Sequence, residues 1–246
     1  MLVLSFGASA QISVARVEAP PEVTIALPIT YAAPAEESPS TLVLRFSYSE
    51  TLIEVMEVVT TPVIKQGGKT LDYEVGSSII AIVISGGTAP VPSGTLFYVM
   101  MRVKPAAPSG TLLQILNASS HGADRNAKQI TLAVASGNIR VIDMPEKHSA
   151  DTAADWEISM QELLRVIQLY NGIEFHCDTD STDGYTVGAG DQDCASHNSD
   201  YAAADWHISF SELLRMIQLY NSPFRKYHTD AAAEDGFAPG PFGYTP

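Results

Sequence analysis

Two near-identical stretches recur 50 residues apart in this chain. A-A-D-W-E-I-S-M-Q-E-L-L-R-V-I-Q-L-Y-N ends at Asn171, and A-A-D-W-H-I-S-F-S-E-L-L-R-M-I-Q-L-Y-N ends at Asn221. Trp156 thus pairs with Trp206, Glu162 with Glu212 and Asn171 with Asn221. A match of that length is an internal duplication, so the fold must accommodate two copies of one local unit. Each copy carries a helix start. Ser159 is placed to cap the amide of Glu162 while Glu162 reaches back to the amide of Ser159, and Ile158 and Leu163 flank the cap as a hydrophobic staple. Ser209, Glu212, Ile208 and Leu213 repeat the arrangement. The helices that follow are short and apolar over most of their circumference, with Arg165 and Gln168 marking a wet face. Such a helix is unstable alone, so the copies are expected to pack on one another as a pseudo-symmetric pair.

The residues before each cap suggest a second use. Counting Asp151 as position 1, oxygen donors fall at Asp155 (5), the Glu157 carbonyl (7), Ser159 (9) and Glu162 (12), the ligand positions of a twelve-residue calcium loop. The second copy offers Asp200, Asp205, Ser209 and Glu212, with Tyr201 at position 1 and Asp200 shifted by one residue. One loop and helix per copy, duplicated, resembles a dockerin module, the calcium-dependent partner of cohesin domains. Two positions depart from that pattern: Ala153 stands at position 3, and Trp156 at position 6 replaces the turn glycine. The resemblance implies calcium in the loops and partner recognition by Met160 and Gln161 in one copy and by Phe210 and Ser211 in the other. It also implies two equivalent binding orientations. Capping box and staple alone also account for Ser, Glu and Ile, with the aspartates merely solvated. Met160 and Phe210 could equally be buried against the rest of the chain.

Charge is uneven. The chain of 246 residues has a net charge of −14; residues 1–142 hold 10 acidic against 9 basic residues, and residues 143–246 hold 18 against 5. The acidity belongs to the repeats, suits cations, and argues against nucleic acid or an anionic membrane as partner. No stretch has the apolar length of a membrane span. Residues 1–10 end in Ala8-Ser9-Ala10 after a short apolar run and are read as part of a signal peptide, or else as a first strand, which points to a secreted or cell-surface protein. In such a chain Cys177 and Cys194, both between the repeats, are expected to form a disulfide closing 18 residues, worth about 3 kcal/mol in the chain-entropy view. A Cys/His metal site with His176 and His197 is the alternative. Residues 143–150 read as a linker, 151–240 as the module, and 241–246 as a loosely held tail.

Residues 11–142 read as strand after strand with turn punctuation and no useful helical period. The segments are 12–17, 23–31, 41–48, 52–59, 71–75, 79–84, 95–103, 111–116, 130–133 and 139–142. Several alternate, whereas others, such as I-I-A-I-V-I at 79–84, are continuous runs that fit strands buried on both faces. The fold class is therefore mainly β, a jelly-roll β-sandwich with a small C-terminal α module of two loop-helix repeats. The order of features resembles the cohesin domain. The carriers are V-T-I-A-L-P-I-T-Y, the passage at Tyr48, Leu52 and Val55, G-T-L-F-Y-V-M-M-R-V-K (Gly94–Lys104, with Met101 where an aromatic is usual), and the closing A-S-G-N-I-R-V. That resemblance implies one flat sheet face presented to a helical protein partner. The rival is a carbohydrate-binding module, which needs a row of exposed aromatics from among Tyr31, Phe46, Tyr48, Tyr73, Phe97 and Tyr98, with the repeats as spacer or sorting tag and polysaccharide as partner. Phosphate loop, nucleophile elbow and zinc-protease motif are all missing, and Glu54/Glu57 and Asp72/Glu74 read as solvent-side strand residues. A non-catalytic binding and assembly protein is the expectation.

Overall fold

A crossover sets the N-terminal architecture. In the computed structural model, which describes residues 11–33 and 38–245, β1 (Gln11–Val14) and β2 (Arg16–Ala19) lie in different sheets with Ala15 as the step between them. The closing strands copy the move: β12 (Ala133–Ala135) pairs parallel with β1, and β13 (Gly137–Val141) pairs parallel with β2. Where the two steps meet there is no room for a side chain. A Cβ on Gly137 would lie 2.2 Å from the Ala15 carbonyl oxygen. The expected strands 12–17 and 130–133 are therefore each broken in two, because a chain that changes sheet cannot keep one ladder.

The other strands are β3 (Thr24–Ala32), β4 (Thr41–Ser47), β5 (Ile53–Thr60), β6 (Thr70–Val75), β7 (Ile79–Ser85), β8 (Gly94–Val103), β9 (Leu112–Asn117), β10 (His121–Ala123) and β11 (Gln129–Thr131). One sheet has the order β12-β1-β3-β8-β5. The other runs β11-β10-β4-β9-β13-β2, with β7 on β4 and β6 on β7. Ile25, Leu27, Leu44, Phe46, Ile82, Phe97 and Ile139 are among the residues that fill the space between and around them. One short helix was not foreseen: α1 (Pro62–Gln66), with proline in its first turn and Ile64 buried, is too short to show a period. The run at 79–84 departs from expectation. Ile80, Ile82 and Ile84 are buried, but Ile79 and Val83 are 43% and 37% exposed. Periodicity cannot tell a strand covered twice from one whose second apolar face is open.

The expectation for residues 1–10 lies outside the described residues. A compact unit formed by residues up to Met144 together with Gly243 onward is followed, from Pro145 to Phe242, by a second. The boundary thus falls two residues past the expected 142.

Lys69 is the one buried cation among the sandwich's described core residues. Its Nζ donates to the carbonyls of Ser40 (2.9 Å), Gly86 (2.6 Å) and Ala89, tying three turns together, and burial pushes its pKa down. Lys69→Met should lower stability by about 1–3 kcal/mol, because it leaves those buried acceptors unmatched. Urea unfolding of the two proteins side by side checks this, and an unchanged midpoint contradicts it.

Candidate functional site

The second unit repeats one design twice. Ser159 caps α2 (Met160–Asn171) and Ser209 caps α3 (Phe210–Tyr220), each with the reciprocal serine–glutamate box expected from the sequence. Each helix is followed by a hairpin unforeseen from the sequence: β14 (Phe175–Cys177) with β15 (Tyr185–Val187), and β16 (Tyr227–Thr229) with β17 (Phe237–Pro239). Arg165, expected on a wet face, is instead the pin between helix and hairpin. Its Nε donates to Asp183 at 2.8 Å and its Nη2 to the Tyr185 carbonyl. Arg215 does the same to Asp235 and the Phe237 carbonyl. The matching of Asp183-Gly184-Tyr185 with Asp235-Gly236-Phe237 in the sequence therefore marks two ion-paired turns. It could have revealed the arginines, since they too repeat.

The repeats interlock. The Phe175 amide donates to the Trp206 carbonyl and the Tyr227 amide to the Trp156 carbonyl, both at 3.1 Å. Each indole packs on the other repeat's hairpin: Trp156 on Tyr227 and Trp206 on Phe175, both with ring centroids 5.3 Å apart. The loops also meet directly. Ser149 N–H donates to Asn198 Oδ1 (2.7 Å), and Asn198 N–H donates to Ser149 Oγ (2.8 Å). Phe242, at the start of the expected tail, belongs to this core as well, buried against Trp156.

The carboxylates of the expected calcium loops are oriented by backbone N–H groups. Asp151 takes the amides of Asp155 (3.1 Å) and Trp156 (2.9 Å) and the hydroxyl of Tyr227 (2.7 Å). Asp200 takes the amides of Asp205 and Trp206 in the same way. Glu162 accepts from Ala153 N–H, Thr152 Oγ1 and Ser159 N–H, and Glu212 from Ala202 N–H and Ser209 N–H. All four carboxylates are buried. Burial raises the pKa of Asp151 and of Asp200 despite these bonds, whereas in Glu162 the hydrogen bonds outweigh burial and hold it low. The exposed Asp155 and Asp205 cap their own turns, accepting from the amides of Glu157 and His207. The Glu157 side chain pairs with Arg225 at 2.8 Å. Among the described residues no group of three or more His, Cys, Asp and Glu side chains is placed to hold a metal ion. This donor set does not fit a calcium ion, because its oxygens are committed to amides and do not converge.

Trp156 and Trp206 sit at φ of 64° and 66°, the left-handed turn conformation that a calcium loop gives to glycine. A bulky residue there stores about 1–3 kcal/mol of strain. The hydrogen bond that its N–H donates to the aspartate carboxylate and the ring's seat in the opposite repeat hold it. Cys177 and Cys194 form the expected disulfide, which leaves no thiolate for the Cys/His metal alternative.

Two histidines sit between the repeats: His148, which sequence reasoning left unused, and His197, which it offered only to a Cys/His metal site. His148 and His197 are buried, with ring centroids 5.6 Å apart; each Nδ1 accepts an amide two residues on, from Ala150 and Ser199. Burial first, then the neighbouring His197 and Arg215, hold His148 well below its usual pKa. Burial lowers His197 to about 4 against the opposing pull of Asp183, with Arg165 adding to the drop.

By contrast, the predicted recognition residues are open. Met160 and Phe210 are 51% and 63% exposed, and Leu164 and Leu214, one turn on, are 48% and 42% exposed. Gln161 and Ser211 are exposed beside them. On the sandwich, Leu112 and Leu116 join Ile79 and Val83 as exposed apolar residues of the larger sheet. Cross-strand pairing of Ser47 with both Ile79 and Leu116, and of Val43 with Val83, puts those side chains on its outer face. Of the six aromatics offered for sugar stacking, Tyr73 alone is exposed; the rest are buried.

The sandwich has the fold of cohesin domains. A chain of the Coh-OlpA–Doc918 complex from Clostridium thermocellum, described as a novel type I cohesin–dockerin complex, superposes with a TM-score of 0.50 at 20% identity, over 55% of this chain and 100% of that one. The Coh-OlpC–Doc435 complex of the same organism gives 0.50 at 18% identity, over 57% and 98%. No protein-family model matches the chain, and no curated protein does. Among the described residues no helix is long and apolar enough to cross a membrane.

Acid should open the second unit. The histidines are neutral when folded and bind protons when unfolded from about pH 6.5 downward. Their contribution is therefore complete above pH 6.5 and lost as pH falls toward 4, by at most about 2.7 kcal/mol per pH unit for the pair. The raised carboxyls of Asp151 and Asp200 act in the opposite sense, since acid relieves their burial. Tryptophan fluorescence, which reports only this unit, should show the melting temperature falling across that window and falling less in His197→Phe. A flat profile between pH 6.5 and 4 contradicts the assignment.

Proposed function

We propose that this is a non-catalytic attachment protein that binds other proteins through two surfaces. One is the outer face of the larger sheet, and the other is the pair of helix starts in the duplicated unit. The observation that carries this reading is the exposure of Met160, Leu164, Phe210 and Leu214 at matching places of both repeats, in a unit whose other large apolar side chains are mostly buried. Isolated exposed apolar residues mean little, but the same exposed pair beside each cap, one helical turn apart, points to docking. The two solved structures described above that share the sandwich fold come from cohesin–dockerin complexes, which supports a protein partner for the sheet face as well. In this reading the protein acts outside the cell or at its surface, where a disulfide persists.

The loops are ordered from within by Asp151, Glu162, Asp200 and Glu212. We therefore expect attachment to be independent of calcium. Calorimetric titration of the chain with calcium should give no binding heat, and EDTA should leave the melting temperature unchanged. Glu162→Ala should destabilise equally with and without the ion, by about 1–3 kcal/mol for the amides left without an acceptor. Calcium-dependent melting that Glu162→Ala abolishes would restore the ion to the loops.

The surfaces are tested by affinity capture from the secreted proteins of the producing organism. Met160→Asp with Phe210→Asp should abolish retention of a defined partner at an unchanged melting temperature. A lowered melting temperature would show these residues to be structural. Retention of the chain on insoluble polysaccharide, indifferent to both substitutions, would overturn the protein-attachment reading in favour of sugar binding.

A further inference from the structure

The two surfaces of the attachment reading differ in charge. On the outer face of the larger sheet, Arg45 lies opposite Ala81, in the row between Val43 and Ser47. Ile79, Val83 and Leu116 are therefore its diagonal neighbours. Arg16 shares this face, because it pairs with Asn138, which lies two residues from Arg140, the partner of the exposed Leu112. Both arginines are exposed, and neither has an ion pair among the described residues. The acids of this face stand apart from them. Asp72 and Glu74 lie on the edge strand β6, and Glu18 is paired with Arg140 at 2.9 Å.

The duplicated unit is the reverse. Residues 143–246 hold 18 acidic against 5 basic residues, and every one of those bases is engaged within the unit. Arg165 and Arg215 pin Asp183 and Asp235, Arg225 and Lys226 pair with Glu157, and the Lys147 ammonium lies 5.3 Å from the centre of the Trp156 ring. The exposed Asp155 and Asp205 stand in the loops that lead to the caps, ahead of Met160 and Phe210. One surface is thus apolar with spare cations, and the other is apolar in an acidic setting. Each supplies what the other lacks.

We propose that the partner of the helix starts is a second copy of this chain, which presents the outer face of its larger sheet. Neither surface suits its own copy. Stacking two sheet faces sets arginines against arginines, and joining two pairs of helix starts brings two strongly acidic units together. A contact between unlike surfaces is head-to-tail, leaves one surface of each kind free, and so propagates into open chains or rings instead of stopping at a two-fold dimer. The proposal rests on the attachment reading for its two surfaces and names one occupant for both.

The test is sedimentation of the full chain at increasing concentration, where the mean mass should climb past that of two chains. Arg45→Glu changes an exposed side chain and should weaken the association at least about tenfold, since it sets acid against acid. Met160→Asp with Phe210→Asp blocks one end, and Ile79→Asp with Leu116→Asp blocks the other, so each variant alone should be monomeric. Mixed in equal amounts, the two variants keep one live surface each and should form a complex of two chains and no larger. Should the sheet substitutions unfold the sandwich, Arg45→Glu takes their place in the mixture. A chain that stays monomeric, an association that survives either blocked end or ignores Arg45→Glu, or a mixture that does not pair would each overturn the proposal. A monomeric chain that still captures a different protein through Met160 and Phe210 overturns self-assembly alone, whereas loss of capture as well removes the attachment reading with it.

Discussion

A carboxylate buried among backbone amides is the constraint on which the duplicated unit depends. Burying an unpaired charge costs several kcal/mol, so Asp151 and Asp200 are tolerable inside only because loop N–H groups and, for Asp151, a phenol turn toward them. That requirement dictates the loop. The amides of residues 155 and 156, and of 205 and 206, can reach one carboxylate only if the chain turns sharply, and the turn puts two tryptophans in the left-handed region. The same loop spacing could serve a cation if the oxygens faced a common centre. Here the anion is the centre and the donors face it, so the polarity of the loop is inverted.

Strain at the tryptophans explains why one repeat would not stand alone. Each indole is held in its conformation by the other repeat's hairpin, and the two meet at the Ser149–Asn198 exchange and the histidine pair. Stability therefore resides in the interface between copies, and the helices serve mainly to carry the apolar side chains that close it. The histidines fit this view. Neutral imidazoles fill a buried seam between the copies, where burial disfavours a charged ring.

Much of this was legible in the residues. Ser159 with Glu162 and Ser209 with Glu212 announced their caps, and the alternating apolar runs announced a sandwich. What escaped was long-range. The register in which Asp151 folds onto Trp156, the hairpins that begin at Phe175 and Tyr227, and the pinning role of Arg165 all depend on partners a dozen or more residues away or on amides, which leave no mark in composition. The step between sheets at Ala15 was hidden for the same reason: only its partner strand, more than 100 residues on, shows that Gly137 must lack a side chain. The run from Ile79 to Ile84 misled in an informative direction. Its second apolar face is open, and it lies with Leu112 and Leu116 on a sheet surface that local pattern reads as interior.

Duplication by itself would predict a module that a partner could meet equally well in either of two orientations. The side chains argue otherwise. The first repeat alone carries a disulfide, between Cys177 and Cys194, and the second has Thr229 at the place of Cys177. The first repeat presents Thr152 beside an open cleft, and the second has Tyr201 at that place. Even the exposed pair differs in kind, a flexible Met160 facing a rigid Phe210. Backbone symmetry is preserved because the interlocked tryptophans and buried aspartates require both copies. The outward residues carry no such obligation and have diverged. A surface with equivalent scaffolding and unequal chemistry distinguishes its two ends, so a partner that contacts both repeats at once has one favoured orientation.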